Sequence, residues 1–515
     1  MGLAKIDGGT GDQKVKTAPT VNIIIGMFFD GTMNNQNNTN DRIANNAKYI
    51  KKEGSYENDY SNVARLADYY TLKDEENDKQ LKIYIEGVGT TNDKEDSSHL
   101  TDHSGGAFGA GVTGVRGKVK SGCMQIASEI KRAAAGKVVQ ILTFDVFGFS
   151  RGSAAARNFI NEATRFEEYI YNTEQGDAYP DMEAFVTPKD GKPGRGFLGY
   201  YLKQGGVQTN IVRIRFVGLY DTVSSYSPET LYSSDFDDDV LELHLDAVRL
   251  ASRVVHLTAA DEHRINFALT NISSTGAMPV GVAVKGDTDM IHTAVSTKSI
   301  QLSLPGVHSD VGGCYRDNVN EIVGNLLDAN DVAQAVEEKR LISKGWYLDK
   351  QLIINVLEHL RGMRPLSNQY SFIPLHMMCD FAVNYQPKLF DKKKVESRYL
   401  IIDKVGNDTT LLQAIKDRLY NYAFIDNSKP LVFDDYANIH ARYKGAQTPQ
   451  DKADYQNELA DQANLRVLRN KYLHWSADCD SMGMGPNIVH GKRTRHIYDD
   501  VIDKKNKHWY GDYTQ

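Results

Sequence analysis

Residues 138–159 read VVQILTFDVFGFSRGSAAARNF, and the fold turns on how this stretch is read. Val138 to Phe147 is a mostly apolar run with the length of a buried strand. Gly148-Phe149-Ser150-Arg151-Gly152 follows, and then the Ala-rich, helix-favouring Ser153 to Arg157. Strand, Gly-x-Ser-x-Gly, helix is the layout of a nucleophile elbow. The serine sits on a strained turn where a larger residue at either flanking position would crowd the backbone. Such a turn lifts the hydroxyl above the sheet. It also points the Arg151 N–H at the place where an oxyanion develops. The alternative reading is a purely structural glycine turn.

Upstream, Val21 to Phe29 is nearly all β-branched, aromatic or apolar, and reads as a buried strand. It runs into Asp30-Gly31-Thr32-Met33-Asn34-Asn35. This is where an elbow enzyme places a second oxyanion donor, here Gly31 or Thr32. The composition suits an Asx-capped turn just as well. A polar helix with Tyr60, Val63, Leu66 and Tyr69 on one face follows, and Leu81 to Gly87 is a second strand. Gly109-x-Gly111-x-x-Gly114 matches a dinucleotide fingerprint in letters only. The segment before it, Asp93 to His103, is polar rather than a strand, so nucleotide binding is not expected. Lys118 to Ala135 reads as the helix that feeds the strand before Ser150. The resulting β-α-β-elbow-α series implies a parallel sheet.

Downstream, residues 168–207 are rich in Tyr, Gly and Pro and read as an insertion, either a lid over the substrate or a plain surface excursion. Asn210 to Tyr220 is a strand ending in Asp221-Thr222-Val223. The acidic run 235–246 lacks the glycine and terminal glutamate of a calcium loop. Val248 to Phe267 reads as an amphipathic helix carrying His256 and His263 on one face, as packing or cap residues rather than metal ligands. Ser299 to Leu304 is the next strand, and it leads into the glycine-rich loop Pro305-Gly306-Val307-His308-Ser309-Asp310. Beyond about residue 320 the texture changes to charged amphipathic helices, expected at Glu321–Lys344, Lys350–Arg361 and Asp451–Lys471. Ile373–Met378 and irregular, Tyr-rich stretches lie between them.

Three residues now stand at strand ends in the order Ser150, Asp221, His308. Nucleophile, acid, base is the chain order of an α/β-hydrolase. Ser150 is too weak an acid to attack unaided, so His308 must take its proton, and Asp221 must fix the imidazole tautomer and stabilise its cation. Asp145 lies on the nucleophile strand and points wrongly for that job. Asp310 is too close to His308 to be its partner and is better suited to shaping the loop.

Composition bounds the rest. The chain has 515 residues, 41% hydrophobic and 25% charged, with net charge −7 and pI near 6.1. This is the balance of a water-soluble globular chain and gives no electrostatic case for nucleic acid. Cys123, Cys314, Cys379 and Cys479 are far apart with no CxxC pair, so neither a disulfide framework nor a zinc site is expected. Residues 1–20 read as a flexible tail without an apolar signal core. The expectation is synthesis in the cytoplasm and export by a route that needs no cleaved signal.

The strings FFDGTMNN, YIEGVGT, FGFSRGSAAAR, GLYDTV, HLTAADEHRINF and LPGVHSDVGGCY occur in this order between residues 22 and 316. Together they resemble the type VI secretion lipase effectors of bacteria and the wider α/β-hydrolase family around them. A looser echo continues in FIPLHMMCDFAV and YLHWSADCDSMG. The resemblance implies the triad Ser150, Asp221 and His308, the three already reached from order and spacing. Ser153 and Tyr220 depart from the usual Ala and Trp of that family, and neither removes a catalytic group. Three units are expected: a tail over 1–20, an α/β-hydrolase core over 21–320 with its insertion at 168–207, and a mostly helical C-terminal region over 321–515 packed on or capping the core. The resemblance further implies a phospholipase of A1 or A2 type acting as an antibacterial toxin in the periplasm of a neighbouring cell. A secretion spike protein would carry it and an immunity protein would inhibit it. No cofactor or metal is expected, with calcium dependence left open. A soluble carboxylesterase or thioesterase, or a non-catalytic module of the secretion apparatus, are the rival readings.

Overall fold

Thr20–Phe29 (β1) alternates between exposed and buried positions at its start and is continuously buried at its end. That is the pattern of a strand entering the middle of a sheet covered on both faces. The computed structural model describes residues 18–46, 54–94, 96, 112–170, 184–224, 240–280, 293–326, 334–354, 359–401, 411–425, 429–445, 447–480, 484–489 and 492–501. The tail over 1–17 and the segments 103–111, 171–183 and 235–239 of the stretches discussed above lie outside them.

β1 belongs to a nine-stranded sheet. The other strands are Lys73–Glu75 (β2), Asp78–Ile85 (β3), Val138–Phe149 (β4), Thr209–Tyr220 (β5), Arg253–Ala259 (β6), Met278–Pro279 (β7), Thr293–Val295 (β8) and Ser299–Leu304 (β9). Their spatial order is β7-β8-β9-β6-β5-β4-β1-β3-β2. The central strands β3, β1, β4, β5, β6 and β9 are parallel. Antiparallel pairing is confined to the two edges. From β1 the chain steps to β3 on one side, while from β4 it steps outward through β5 and β6 on the other. The direction of winding therefore reverses between β1 and β4, and the crevice beyond the carboxyl ends of such a pair is where open α/β sheets bind ligands.

Helices cover both faces. On one face Val115–Ala134, Arg151–Thr164 and Gly196–Gln204 pack Ile126, Phe159 and Leu198 into a cluster with Ile23, Ile25, Met27 and Phe144. On the other face the layer comes from Asn62–Ala67 together with the C-terminal helices Phe372–Tyr385, Leu411–Phe424 and Pro449–Lys471. Their Val63, Met378, Leu419 and Leu465 share a cluster with Phe28, Phe147, Phe216 and Leu302 of the sheet. The C-terminal region thus forms the second helical layer of the sheet. All four cysteines are free; Cys123, Cys314 and Cys379 are buried and Cys479 is partly so.

Several local expectations change. Val248 to Phe267 is not a helix: a short 3-10 segment, Leu245–Leu250, leads into strand β6, which is buried along nearly its whole length. A strand with no exposed face has no period-two signal, so its apolar run imitates a buried helix. His256 therefore lies on a strand and His263 in the loop after it. In the expected Glu321–Lys344 helix, Glu321 belongs to the strand Val319–Val323, and the described helix begins at Gln334. Lys350 to Arg361 likewise departs: it leaves the 3-10 turn Asp349–Gln351 for strand, and Leu352–Ile354 and Val319–Val323 flank Leu360–Leu366 in a small antiparallel sheet. Ile373–Met378 is helical, with Pro374 in the first turn, where a missing N–H costs nothing. The described part of 168–207 forms a hairpin and the Gly196–Gln204 helix, which packs on the Val115–Ala134 and Arg151–Thr164 helices.

Candidate active site

Ser150 joins β4 to the Arg151–Thr164 helix with φ 59° and ψ −132°, a combination that few non-glycine residues adopt. Its neighbours enforce it. A Cβ on Gly148 would lie 2.6 Å from the Gly152 carbonyl oxygen, and one on Gly152 only 2.1 Å from that of Asp30. The helix start and the end of β1 approach so closely that only glycine fits. The Ser150 N–H donates to the Tyr220 carbonyl, 3.1 Å away, tying the elbow to the end of β5.

Asp221 follows β5 directly, at φ 42°. Its carboxylate is fully buried and saturated with donors. Oδ1 accepts from the Ala259 N–H at 2.8 Å and from Arg495 Nη1 at 2.7 Å. Oδ2 accepts from Arg495 Nη2 at 2.8 Å and faces His308 Nδ1 at 2.6 Å. Burial alone would raise this carboxyl; Arg495 and His308 outweigh it and hold the group well below the usual carboxylate range. The carboxylate is therefore ionised and fixes the tautomer of His308 with the proton on Nδ1, leaving Nε2 as the basic nitrogen.

His308 opens a short helical turn after β9. Its ring lies between Phe149 and Phe267, at centroid distances of 4.6 Å and 5.1 Å. Burial pushes its pKa below the ordinary imidazole value, and the Asp221 contact offsets this only in part, so the imidazole is neutral near pH 7. The His308 backbone N–H donates to Glu262 Oε2 at 3.1 Å. Glu262 is fully buried; burial would raise its carboxyl, but Arg264, which binds it through Nε at 3.0 Å and Nη2 at 2.8 Å, keeps it low. Asp310 does shape the loop. It accepts from the Val307 N–H and the His474 N–H, each at 3.0 Å, and pairs with His474 Nδ1 at 2.8 Å.

Ser150 and His308 line one cavity of about 700 Å³, together with Thr32, Phe149, Arg264 and Phe267. Arg151 begins the helix, and its Nε donates to Thr32 Oγ1 at 2.8 Å across the mouth of the switch point. The two expected donors on the β1 loop differ. The Gly31 N–H is engaged by the Asp30 carboxylate at 2.7 Å, whereas Thr32 faces the cavity. No described residue of 168–207 lines this cavity. Asp145 is occupied elsewhere, by the Arg215 guanidinium and the Tyr70 hydroxyl. His256 is fully buried between Thr222 and Gln301, and burial pushes its pKa down to about 3. Among the described residues no cluster of three or more His, Cys, Asp or Glu side chains could hold a metal, and no helix is long and apolar enough to cross a membrane.

Sequence reasoning missed Arg495 and the Glu262–Arg264 pair. The latter sit in HLTAADEHRINF, a string already singled out. Arg495 stands in GKRTRH, which carries no periodic or motif signal.

A parallel sheet, an elbow serine and a buried Asp–His pair at the switch point define an α/β-hydrolase-like protein. The sequence model of the type VI secretion system phospholipase effector Tle1-like catalytic domain matches residues 22–335, and the chain belongs to that family. Two solved structures are similar. One is a Tle1 effector bound to the VgrG spike from the type 6 secretion system, at 18% identity, TM-score 0.49, covering 94% of this chain and 95% of that one. The other is an uncharacterized protein from Pseudomonas aeruginosa, at 17% identity, TM-score 0.36, covering 88% and 64%. No curated protein matches.

Proposed function

We propose that this phospholipase effector domain is a serine esterase of A1 or A2 type. In this reading His308 Nε2 takes the proton from the Ser150 hydroxyl as its oxygen attacks a glycerophospholipid ester carbonyl. The oxyanion is held by the Arg151 N–H and a donor of the β1 loop, with Thr32 better placed than Gly31. The imidazolium then protonates the leaving lysolipid alkoxide. Water, deprotonated by the same imidazole, hydrolyses the acyl-Ser150 ester and frees the fatty acid. Asp221 stabilises the imidazolium throughout. The observation that carries this reading is the cavity lined by both a strained Ser150 and a His308 whose Nδ1 is bound by a buried carboxylate.

In this reading, which the family match supports, the protein is an antibacterial effector carried by a secretion spike protein, held in check by a cognate immunity protein, and acting on membrane phospholipid in the periplasm of the target cell. No step of this proposed mechanism calls on a cofactor. The test is fatty-acid release from phosphatidylethanolamine and phosphatidylglycerol vesicles, with and without a calcium chelator, by wild type and Ser150→Ala. The expected result is turnover that falls at least about a thousandfold with Ser150→Ala, the released chain distinguishing A1 from A2. Cleavage of p-nitrophenyl butyrate but not of vesicles would replace this reading by a soluble esterase.

A further inference from the structure

Asp221 receives four contacts, and two of them come from one side chain far along the chain. Arg495 presents a guanidinium fork to both carboxylate oxygens, at 2.7 Å and 2.8 Å, and both side chains are fully buried. The third arm of the guanidinium is also fixed: Nε donates to the Phe267 carbonyl at 2.7 Å. The segment that carries Arg495 is threaded into the core. Ile497–Tyr498 pairs in parallel with Leu269–Thr270. Asp500, fully buried, binds Arg157 of the elbow helix and Ser274. The segment from Arg495 to Asp500 lies beyond the residues 22–335 that the family's catalytic domain covers, while its partners lie within them.

We propose that Arg495 is a positioning residue for ester hydrolysis: its fork holds Asp221 in the orientation that receives His308 Nδ1–H and offsets the carboxylate's charge. The inference rests on the triad reading given above. Its chemistry follows from the groups around His308. Asp221 faces it from the end of β5, Glu262 and Arg264 from the loop after β6, and Arg495 stands behind Asp221. Asp310 on the same turn as His308 is occupied by His474. Two buried anions are thus matched by two buried cations. An unmatched Asp221 would hold the imidazolium too tightly, keeping His308 protonated when it must act as a base.

The sign is definite. Removing the Arg495 charge leaves Asp221 and Glu262 against Arg264 alone, which favours the imidazolium. The acidic limb of the pH profile, where His308 loses its proton, then moves to higher pH.

The experiment measures the pseudo-first-order rate constant for fluorophosphonate labelling of Ser150 between pH 4.5 and 9 in the full-length chain. A rate constant counts only folded enzyme, so partial misfolding does not distort it. Arg495→Met is expected to move the acidic limb up by about one pH unit and to slow labelling about tenfold or more. Arg495→Lys, which keeps a cation without the fork, is expected to slow labelling while leaving the limb within a few tenths of a unit of wild type. A limb that stays in place in Arg495→Met, or moves equally in both variants, would overturn the inference and leave the triad intact. Wild type that is not labelled at Ser150 would overturn the triad reading, and this inference with it.

Discussion

Replacing Asp221 by Asn keeps the shape of the side chain and removes its charge. The amide would offer an N–H where His308 Nδ1–H and the Arg495 fork both need an acceptor. The imidazole would lose its tautomer and its cation its partner. In the proposed mechanism Asp221→Asn is expected to lower kcat by about 10³- to 10⁴-fold with a smaller change in KM, as read from initial rates on vesicles. His308 makes a second prediction at this scale. Burial holds it below the ordinary imidazole pKa despite Asp221. A general base works in its neutral form, so kcat/KM is expected to rise with pH through an apparent pKa below 6.5 and to be level by pH 7. A limb above 6.5 in the wild type would contradict the neutral imidazole assigned here.

Among the elements, the elbow depends on how closely the Arg151–Thr164 helix approaches the end of β1. With a Cβ on Gly152 only 2.1 Å from the Asp30 carbonyl oxygen, Gly152→Ala must push the helix start away from the sheet. Overpacking of this kind costs about 1–3 kcal/mol, to be measured as a lower denaturant midpoint, and Ser150 labelling is expected to slow with it. The elements that carry Ser150, Asp221 and His308 were legible because each follows an apolar run that is a central parallel strand. Chain order then assigned the roles. Other elements were misread, each for its own reason. Strand β6 is buried on both faces and imitates a helix. In Leu352–Ile354 and Leu360–Leu366 the interruption by charged residues looks helical, yet Arg361 alternates with buried Leu360 and Gly362 across a strand. The partners of Asp221 and His308 could not be read locally, because Arg495 is brought to Asp221 by tertiary threading over 274 residues.

Over the whole molecule, the sheet is covered on one face mainly by helices that follow residue 335, with Asn62–Ala67 beside them. Phe28, Phe147 and Phe216 pack in one cluster with Met378, Leu419 and Leu465. Arg469 of the Pro449–Lys471 helix also reaches Asp261 at 2.6 Å in the interior. A fragment spanning 22–335 would expose that face and leave Asp221 without Arg495. It is expected to lack the native near-ultraviolet circular dichroism of the full chain. Acid adds a further test. Asp221 and Glu262 are held below the ordinary carboxylate range in the fold, so the stability they contribute is present above the unfolded-state pKa near 4 and is lost as pH falls below it. The thermal midpoint is expected to decline as pH is lowered from 5 towards 3. The free cysteines carry a consequence of a different kind. The Cys314 and Cys379 thiols are pushed up to about 12 by burial and Cys123 is likewise enclosed. None of the four cysteines is in a disulfide, and the three enclosed ones give an oxidant little to attack. In an oxidising medium as in a reducing one, these three thiols are expected to keep the same covalent form.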